Sequence, residues 1–183
     1  MGLGSRPSDI QLKIPRQGFQ LYEDDLRKLP TELSQKYGVL TNVPLTLDIR
    51  NNHTIGIIGS SRNIQAIINE VILNVISLHP YDEVKLVLVT SPKRAADFEH
   101  FKNIPHIWSN DKRVRFFATN PEEVHHVFNA IDEKIKDRES AQDEQAVPIP
   151  HYVIIVTEPN LIEKEALRRY IDDADNQVGI TTL

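Results

Sequence analysis

The chain has 183 residues, 40% of them apolar, and 26 acidic side chains against 21 basic ones give a formal charge of −5. That length accommodates one domain with a substantial core, the composition excludes disordered and fibrous classes, and the acidic balance argues against nucleic acid as a partner, because phosphate binding draws on clustered Lys and Arg. The absence of cysteine excludes disulfides, thiolate metal sites and a cysteine nucleophile, while no apolar run approaches the roughly 18 residues of a spanning helix, so no direct membrane insertion is expected.

In chain order, residues 12–40 are irregular, punctuated by Pro15, Gly18, Pro30 and Gly38, with Leu26, Leu29 and Leu33 as a short helical stripe. Residues 1–44 are therefore expected to form a lead-in that packs on an α/β domain spanning 45–183. Leu45-Thr-Leu-Asp-Ile49 alternates apolar and polar residues like a half-buried or edge strand, and Ile55 to Ile58 predicts a short apolar strand. Asn63 to Ser77 predicts a helix that is apolar on most faces, as one sandwiched in a core would be.

Val84-Lys-Leu-Val-Leu-Val89 and Val114-Arg-Phe-Phe-Ala118 predict two more strands, with a short helix over Ala95 to Phe101 and a loop at Ile104-Pro-His-Ile-Trp-Ser109 between them. Asn120-Pro-Glu-Glu123 combines an N-cap, a proline at the first helical position and a glutamate three residues past the cap. It opens a helix striped by Val124, Val127, Phe128, Ile131 and Ile135. The charged stretch from Asp137 to Pro150 predicts a mobile surface loop. Tyr152 to Val156 reads as a buried β-branched strand, Leu161 to Ile171 as a helix and Val178 to Leu183 as a last strand. Strands separated by such helices imply parallel β-α-β units, hence an α/β fold with an open, mainly parallel sheet and helices on both faces. In sheets of this kind ligands bind at the carboxyl ends of the strands.

A strand-to-helix junction stands at that position: Thr54-Ile-Gly-Ile-Ile-Gly-Ser-Ser-Arg-Asn-Ile-Gln-Ala66. A phosphate loop reads G-x-x-x-x-G-K-[S/T], because bare amides must crowd the phosphates, a lysine must reach them and a hydroxyl must hold magnesium. Counted from Gly59, the second glycine position is Ile64, the lysine position Gln65 and the hydroxyl position Ala66. Each lost charge-assisted contact costs about 1.5 to 3 kcal/mol. Gly59, Ser60, Ser61, Arg62 and Asn63 thus form a vestigial loop. Its donors lie at a helix N-terminus, which keeps weak ATP or anion binding as an alternative.

The second half of the expected metal site is altered in the same direction. In phosphate-loop ATPases an apolar strand ends in an aspartate that holds the magnesium shell, often with a glutamate after it. Here Tyr152-Val-Ile-Ile-Val156 ends in Thr157 and Glu158. His125 and His126 are adjacent on a helix and point about 100° apart, unlike a zinc pair spaced by three or four, so no metal is expected. No serine stands on a nucleophile elbow. Pro105, His106 and Trp108 form a candidate contact loop, the alternative being that Trp108 plugs the edge of the domain.

Several blocks in order carry a family resemblance: Leu45-Thr-Leu-Asp-Ile49, Gly56-Ile-Ile-Gly59, Leu78 to Val89, Ile104 to Ser109, Arg115 to Glu123 and His151 to Pro159. Together with Gly2-Leu-Gly-Ser5 they span nearly the whole chain. They resemble the membrane-proximal cytosolic domain of the EssC/YukB family, the FtsK/SpoIIIE-type membrane ATPases of Gram-positive type VII secretion. The resemblance implies a RecA/FtsK-like phosphate-loop NTPase fold at the cytoplasmic face of the cell membrane, within a longer protein of which this chain is a fragment. The departures at Ile64, Gln65, Ala66 and Thr157 make the expected role non-catalytic: a structural and regulatory coupler between transmembrane region and motors, without cofactor. Its partners would be other domains of the same ATPase and membrane components of the secretion system, with self-association at an exposed strand edge. The alternative functions are a nucleotide sensor or ATPase with an atypical phosphate loop, and a scaffold unrelated to secretion.

Overall fold

Six consecutive residues, Val84–Val89, form β3 and all six are buried. A strand in which both alternating faces are buried must be covered on both sides, which is the situation of a central strand in a parallel sheet. A computed structural model describes residues 2–10, 13, 26, 28–140, 148–173 and 178–183. Its chain forms two compact units, Met1–Leu47 and Asp48–Leu183.

In the first unit β1 (Gly2–Pro7) pairs antiparallel with β2 (Val39–Leu45), from Gly2 opposite Leu45 to Pro7 opposite Val39. Between them in sequence, α1 (Leu29–Tyr37) starts with Pro30 in its first turn and buries none of its residues. The expected apolar stripe is solvent-facing: Leu26, Leu29 and Leu33 are all exposed. Most of residues 12–27 lie outside the described residues. The strand expected at Leu45 to Ile49 does not form, because Leu45 closes β2 and Asp48 turns the chain. The Asp48 carboxylate accepts from the Arg50 and Asn51 amides at 3.0 and 3.3 Å. The Arg50 amide leads in holding its pKa below the ordinary value.

The second unit is α/β, with a four-stranded parallel sheet in the order β4-β3-β5-β6, where β4 is Phe117–Ala118, β5 His151–Val156 and β6 Ile180–Thr182. Helices flank the sheet: α2 (Ser61–Leu78), α3 (Pro121–Ser140) and α4 (Arg168–Asp172). This arrangement is compatible with a RecA/FtsK-like fold. The α3 start is as its sequence predicts. The Asn120 side-chain oxygen accepts the Glu123 amide at 3.0 Å, and the Glu123 carboxylate reaches back to the Thr119 amide and hydroxyl at 2.7 and 2.9 Å.

Several expected elements are shorter or differently placed. Ile55 to Ile58 is not a strand: Thr54 makes one parallel bridge to Thr182, Ile55 donates to the Thr182 carbonyl at 2.8 Å, and the three-residue β6 then offers no further partner. Of Val114 to Ala118 only Phe117–Ala118 joins the sheet, because the Phe116 amide donates to the Ile107 carbonyl at 2.7 Å and Val114 accepts from Ser109. The helix expected over Leu161 to Ile171 is divided into a 3-10 turn at Pro159–Leu161 and α4. Conversely, α3 runs through Asp137 to Ser140, where a loop was expected, and 141–147 lie outside the described residues. Only Ile68, Ile72 and Val75 of α2 are buried, and Ile67 and Leu73 face solvent, so this helix covers the sheet with one face only. The last strand is the central part of the predicted one, and Gly179 ahead of it has φ +82°, with Pro148 Cβ 2.9 Å from where a side chain would start.

A buried polar bridge sits between β5 and β6. His151 Nε2 lies 2.9 Å from Thr181 Oγ1, and the Thr181 hydroxyl donates to the Ile49 carbonyl. The hydroxyl has one proton and has spent it, so His151 must be the Nε2–H tautomer donating to Thr181. Burial, followed by the positive charges of Arg50 and Arg138 and the neighbouring His53 and His79, lowers the His151 pKa to about 4. The folded protein therefore holds His151 neutral where the unfolded chain, with a pKa near 6.5, takes up a proton. Stability from this source is complete above about pH 6.5 and is lost as pH falls toward about 4, in total about 3 kcal/mol. Denaturant unfolding of His151→Gln should lose most of that slope, and an unchanged slope would refute the assignment. At the α3 start, Asn120→Ala should cost about 1 kcal/mol in the same assay.

Candidate functional site

The residues at the expected metal position lie at the carboxyl end of β5, beside that of β3. Thr157 continues β5, donates its amide to the Val89 carbonyl at 2.9 Å, and places its hydroxyl 2.8 Å from the hydroxyl of Thr90. Thr90 is almost fully buried. The position where an aspartate would hold a magnesium shell is thus occupied by a neutral hydroxyl already bonded to its neighbour. Glu158 contributes its backbone carbonyl to the turn at Pro159–Leu161, accepting from Leu161 at 3.1 Å, and its side chain makes no capping bond.

The Gly59 turn is at the edge of this sheet, with β6 between it and β5. Gly59 has ordinary negative φ, and a side chain there would meet only Ile64 at an unstrained 3.9 Å. Sterics therefore do not require a glycine at this position. Ser60 is the N-cap of α2, accepting the Asn63 amide at a long 3.4 Å, and Ser60, Ser61, Arg62 and Asn63 are all exposed. Gln65, at the lysine position, is engaged elsewhere. Its carbonyl accepts from the Arg94 guanidinium at 2.9 Å, and its amide donates to Asn69 at 3.0 Å. Arg94 and Thr90, both just past β3, are thus the partners of Gln65 and Thr157. Neither was singled out from sequence, since their relevance depends on a pairing 29 to 67 residues apart.

The Pro105–Trp108 segment divides. Ile107 is fully buried and His106 nearly so, its ring bonding the His79 carbonyl through Nε2 at 2.9 Å. Because a carbonyl only accepts, Nε2 carries the proton, and Nδ1 is left without a partner among the described residues. Pro105 is exposed, while Trp108 is half-buried, with the Arg115 guanidinium 5.7 Å from its ring and an open cavity of about 420 Å³ on its flank. The edge of the core is plugged by Ile107, and Trp108 serves as a cavity wall.

Among the described residues no three His, Asp or Glu side chains gather as metal ligands, and no helix is long and apolar enough to cross a membrane. His125 pairs with Glu165 at 3.2 Å and accepts Asn129 at 3.0 Å through its other nitrogen.

No protein-family model matches the chain. Individual proteins do. All of the chain is 21% identical to the ESX secretion system protein YukB of Bacillus subtilis (strain 168), over 12% of that protein's length. It is 21% identical over its full extent to the type VII secretion system protein EssC of Staphylococcus aureus (strain NCTC 8325 / PS 47), covering 13% of it. The ESX secretion system protein EccC of Geobacillus thermodenitrificans (strain NG80-2) matches 87% of the chain at 22% identity, over 11% of its own length. The chain is therefore EssC/YukB-like from end to end and spans about an eighth of the length of these relatives.

The Thr90–Thr157 pair yields a double-mutant test. Thr157→Val should cost about 1 to 3 kcal/mol by leaving the buried Thr90 hydroxyl without its donor, whereas Thr90→Val with Thr157→Val should recover most of that loss in denaturant unfolding.

Proposed function

We propose that this EssC/YukB-like chain is a non-catalytic, ATPase-like domain of a type VII secretion protein, acting as a structural and regulatory coupler between a membrane region and motor domains at the cytoplasmic face of the cell membrane. The observation that carries the reading is that the two polar residues among the four altered positions are internally satisfied: Gln65 by Arg94, and Thr157 by Thr90. A nucleotide with magnesium would have to break these bonds and would find neither a lysine nor an aspartate in return. The Gly59-Ser-Ser-Arg-Asn63 turn then serves the fold as the start of α2. Contacts with other domains of the same protein and with secretion components run through the Pro105–Trp108 segment and the charged end of α3.

A nucleotide-sensing reading is favoured by one observation: Ser61 to Asn63 open the 18-residue helix α2 with exposed donors and the Arg62 side chain beside them. That end of a helix attracts anions without any loop lysine.

Calorimetry separates the two. The coupler reading expects no binding of ATP with magnesium tighter than about 100 μM, equivalent to about 5.5 kcal/mol. Tighter binding that Arg62→Ala weakens would establish the sensor instead. Within a full-length secretion protein, Trp108→Ala should reduce export while leaving the circular dichroism and unfolding midpoint of the isolated chain close to wild type. Unfolding of that variant would mark Trp108 as a structural residue.

A further inference from the structure

The strand Val84–Val89 contains one charged residue, Lys85, which is 1% exposed. A lysine so placed normally has a carboxylate partner or a route for its ammonium to water. Among the described residues no carboxylate oxygen approaches Lys85 Nζ within 4.0 Å. Nζ instead stands 5.1 Å from the centroid of the Tyr81 ring, and Lys85 is among the residues lining the cavity of about 420 Å³ beside Trp108. Burial lowers the Lys85 pKa, with the Asp82 charge working against that shift.

The rest of the lining fits the same chemistry. Tyr81 and Trp108 supply aromatic lining, Asn103 and Asn110 supply amide groups, and Lys112 adds a second ammonium. Lys112 is held in the left-handed region at φ +58°, and the adjoining turn is fixed by the Ser109 hydroxyl, which accepts the Arg113 and Val114 amides at 3.1 and 3.0 Å. In a chain of net charge −5, the charged residues lining this cavity, among the described residues, are two lysines. The arginines nearby are directed elsewhere, Arg115 over the Trp108 ring and Arg113 toward Asp111 at 3.6 Å. The single buried ammonium of Lys85 balances one negative charge, so a monoanionic carboxylate is neutralised beside it, whereas a phosphate dianion keeps a charge that is costly to desolvate.

We propose that this cavity receives the carboxylate side chain of an acidic peptide segment of a partner protein, with Lys85 as its counter-charge and Tyr81 and Trp108 contacting the apolar residue beside it. The site lies toward the amino end of β3, away from the Gly59 turn, and does not depend on nucleotide. It rests on the coupler reading only in taking the Trp108 segment as a contact surface.

Trp108 is the chain's single tryptophan, so its fluorescence reports on the cavity directly. The 183-residue chain is titrated with the blocked tripeptide acetyl-Leu-Glu-Leu-amide, with its glutamine counterpart, and with inorganic phosphate. A saturable change with the glutamate peptide is expected, and roughly 10-fold or weaker binding of the glutamine peptide. Lys85→Met, which keeps the buried stem and removes the charge, should bind the glutamate peptide as weakly as wild type binds the glutamine one. Equal response to both peptides, no saturation by about 10 mM, or phosphate binding tighter than the glutamate peptide would each overturn the proposal. The wild-type comparison decides the question even if Lys85→Met fails to fold. Peptide binding with no export defect in Trp108→Ala would retain the site and reject the coupler reading, whereas an export defect without peptide binding would do the reverse.

Discussion

The second unit depends on the parallel pairing of β3 with β5, registered from Val84 opposite His151 to Val89 opposite Val156. Parallel strands cannot be joined by a tight turn, so this pairing requires the long excursion through β4 and α3, whose apolar face then covers the sheet. Val124, Val127, Phe128, Ile131 and Ile135 are buried there. The same pairing brings Thr90 beside Thr157, because each is the first residue past its strand. The chemistry of the candidate site is thus a product of strand register: a one-residue slip would exchange the faces of β5 and separate the two hydroxyls.

One buried carboxylate is satisfied where two helices meet. Asp132 on α3 is nearly buried yet bonds Lys136 at 2.6 Å on its own helix and Arg169 at 3.1 Å on α4, and Arg169 also donates to Tyr170 at 2.7 Å. Arg138 extends this side of the unit, donating to the Val178 and Pro150 carbonyls at 2.9 and 2.7 Å while stacking over Tyr152 at 5.4 Å. Such a guanidinium serves as a bracket for backbone that has no strand partner. Lys85 has no comparable arrangement, which is why its position is informative.

Long, strongly patterned elements were legible from sequence: β3, β5, α2 and α3 form where predicted, and the Asn120 cap is made by the residues that announced it. Short elements were not. The Ile55 to Ile58 segment has the composition of a strand, but its length is set by how many residues β6 can offer it, a property of residues more than 120 positions away. The Val114 to Ala118 segment likewise has two competing partners, and its upstream half pairs with Ile107 and Ser109. Of the candidate site, the altered loop positions could be counted directly, whereas Arg94 and Thr90 could be found only from the fold. The lysine inside an otherwise apolar strand was visible as a break in pattern, and its significance required knowing that both faces of the strand are covered.

The single bridge from Thr54 to Thr182 bears on the order in which the unit assembles. Residues 53–55 have the backbone of 182 as their partner, through the Ile55 amide at 2.8 Å and the Thr182 amide at 2.8 Å. During synthesis the start of α2 emerges early, but its anchor to the sheet cannot exist until β6 has been translated and docked on β5. Closing so large a loop is entropically costly and comes late. Until then Ile57 and Ile64, which finally rest against the core, and the pairing edge of β5 stay uncovered. The interval between the translation of α2 and that of β6 is therefore when this unit is open to misassembly.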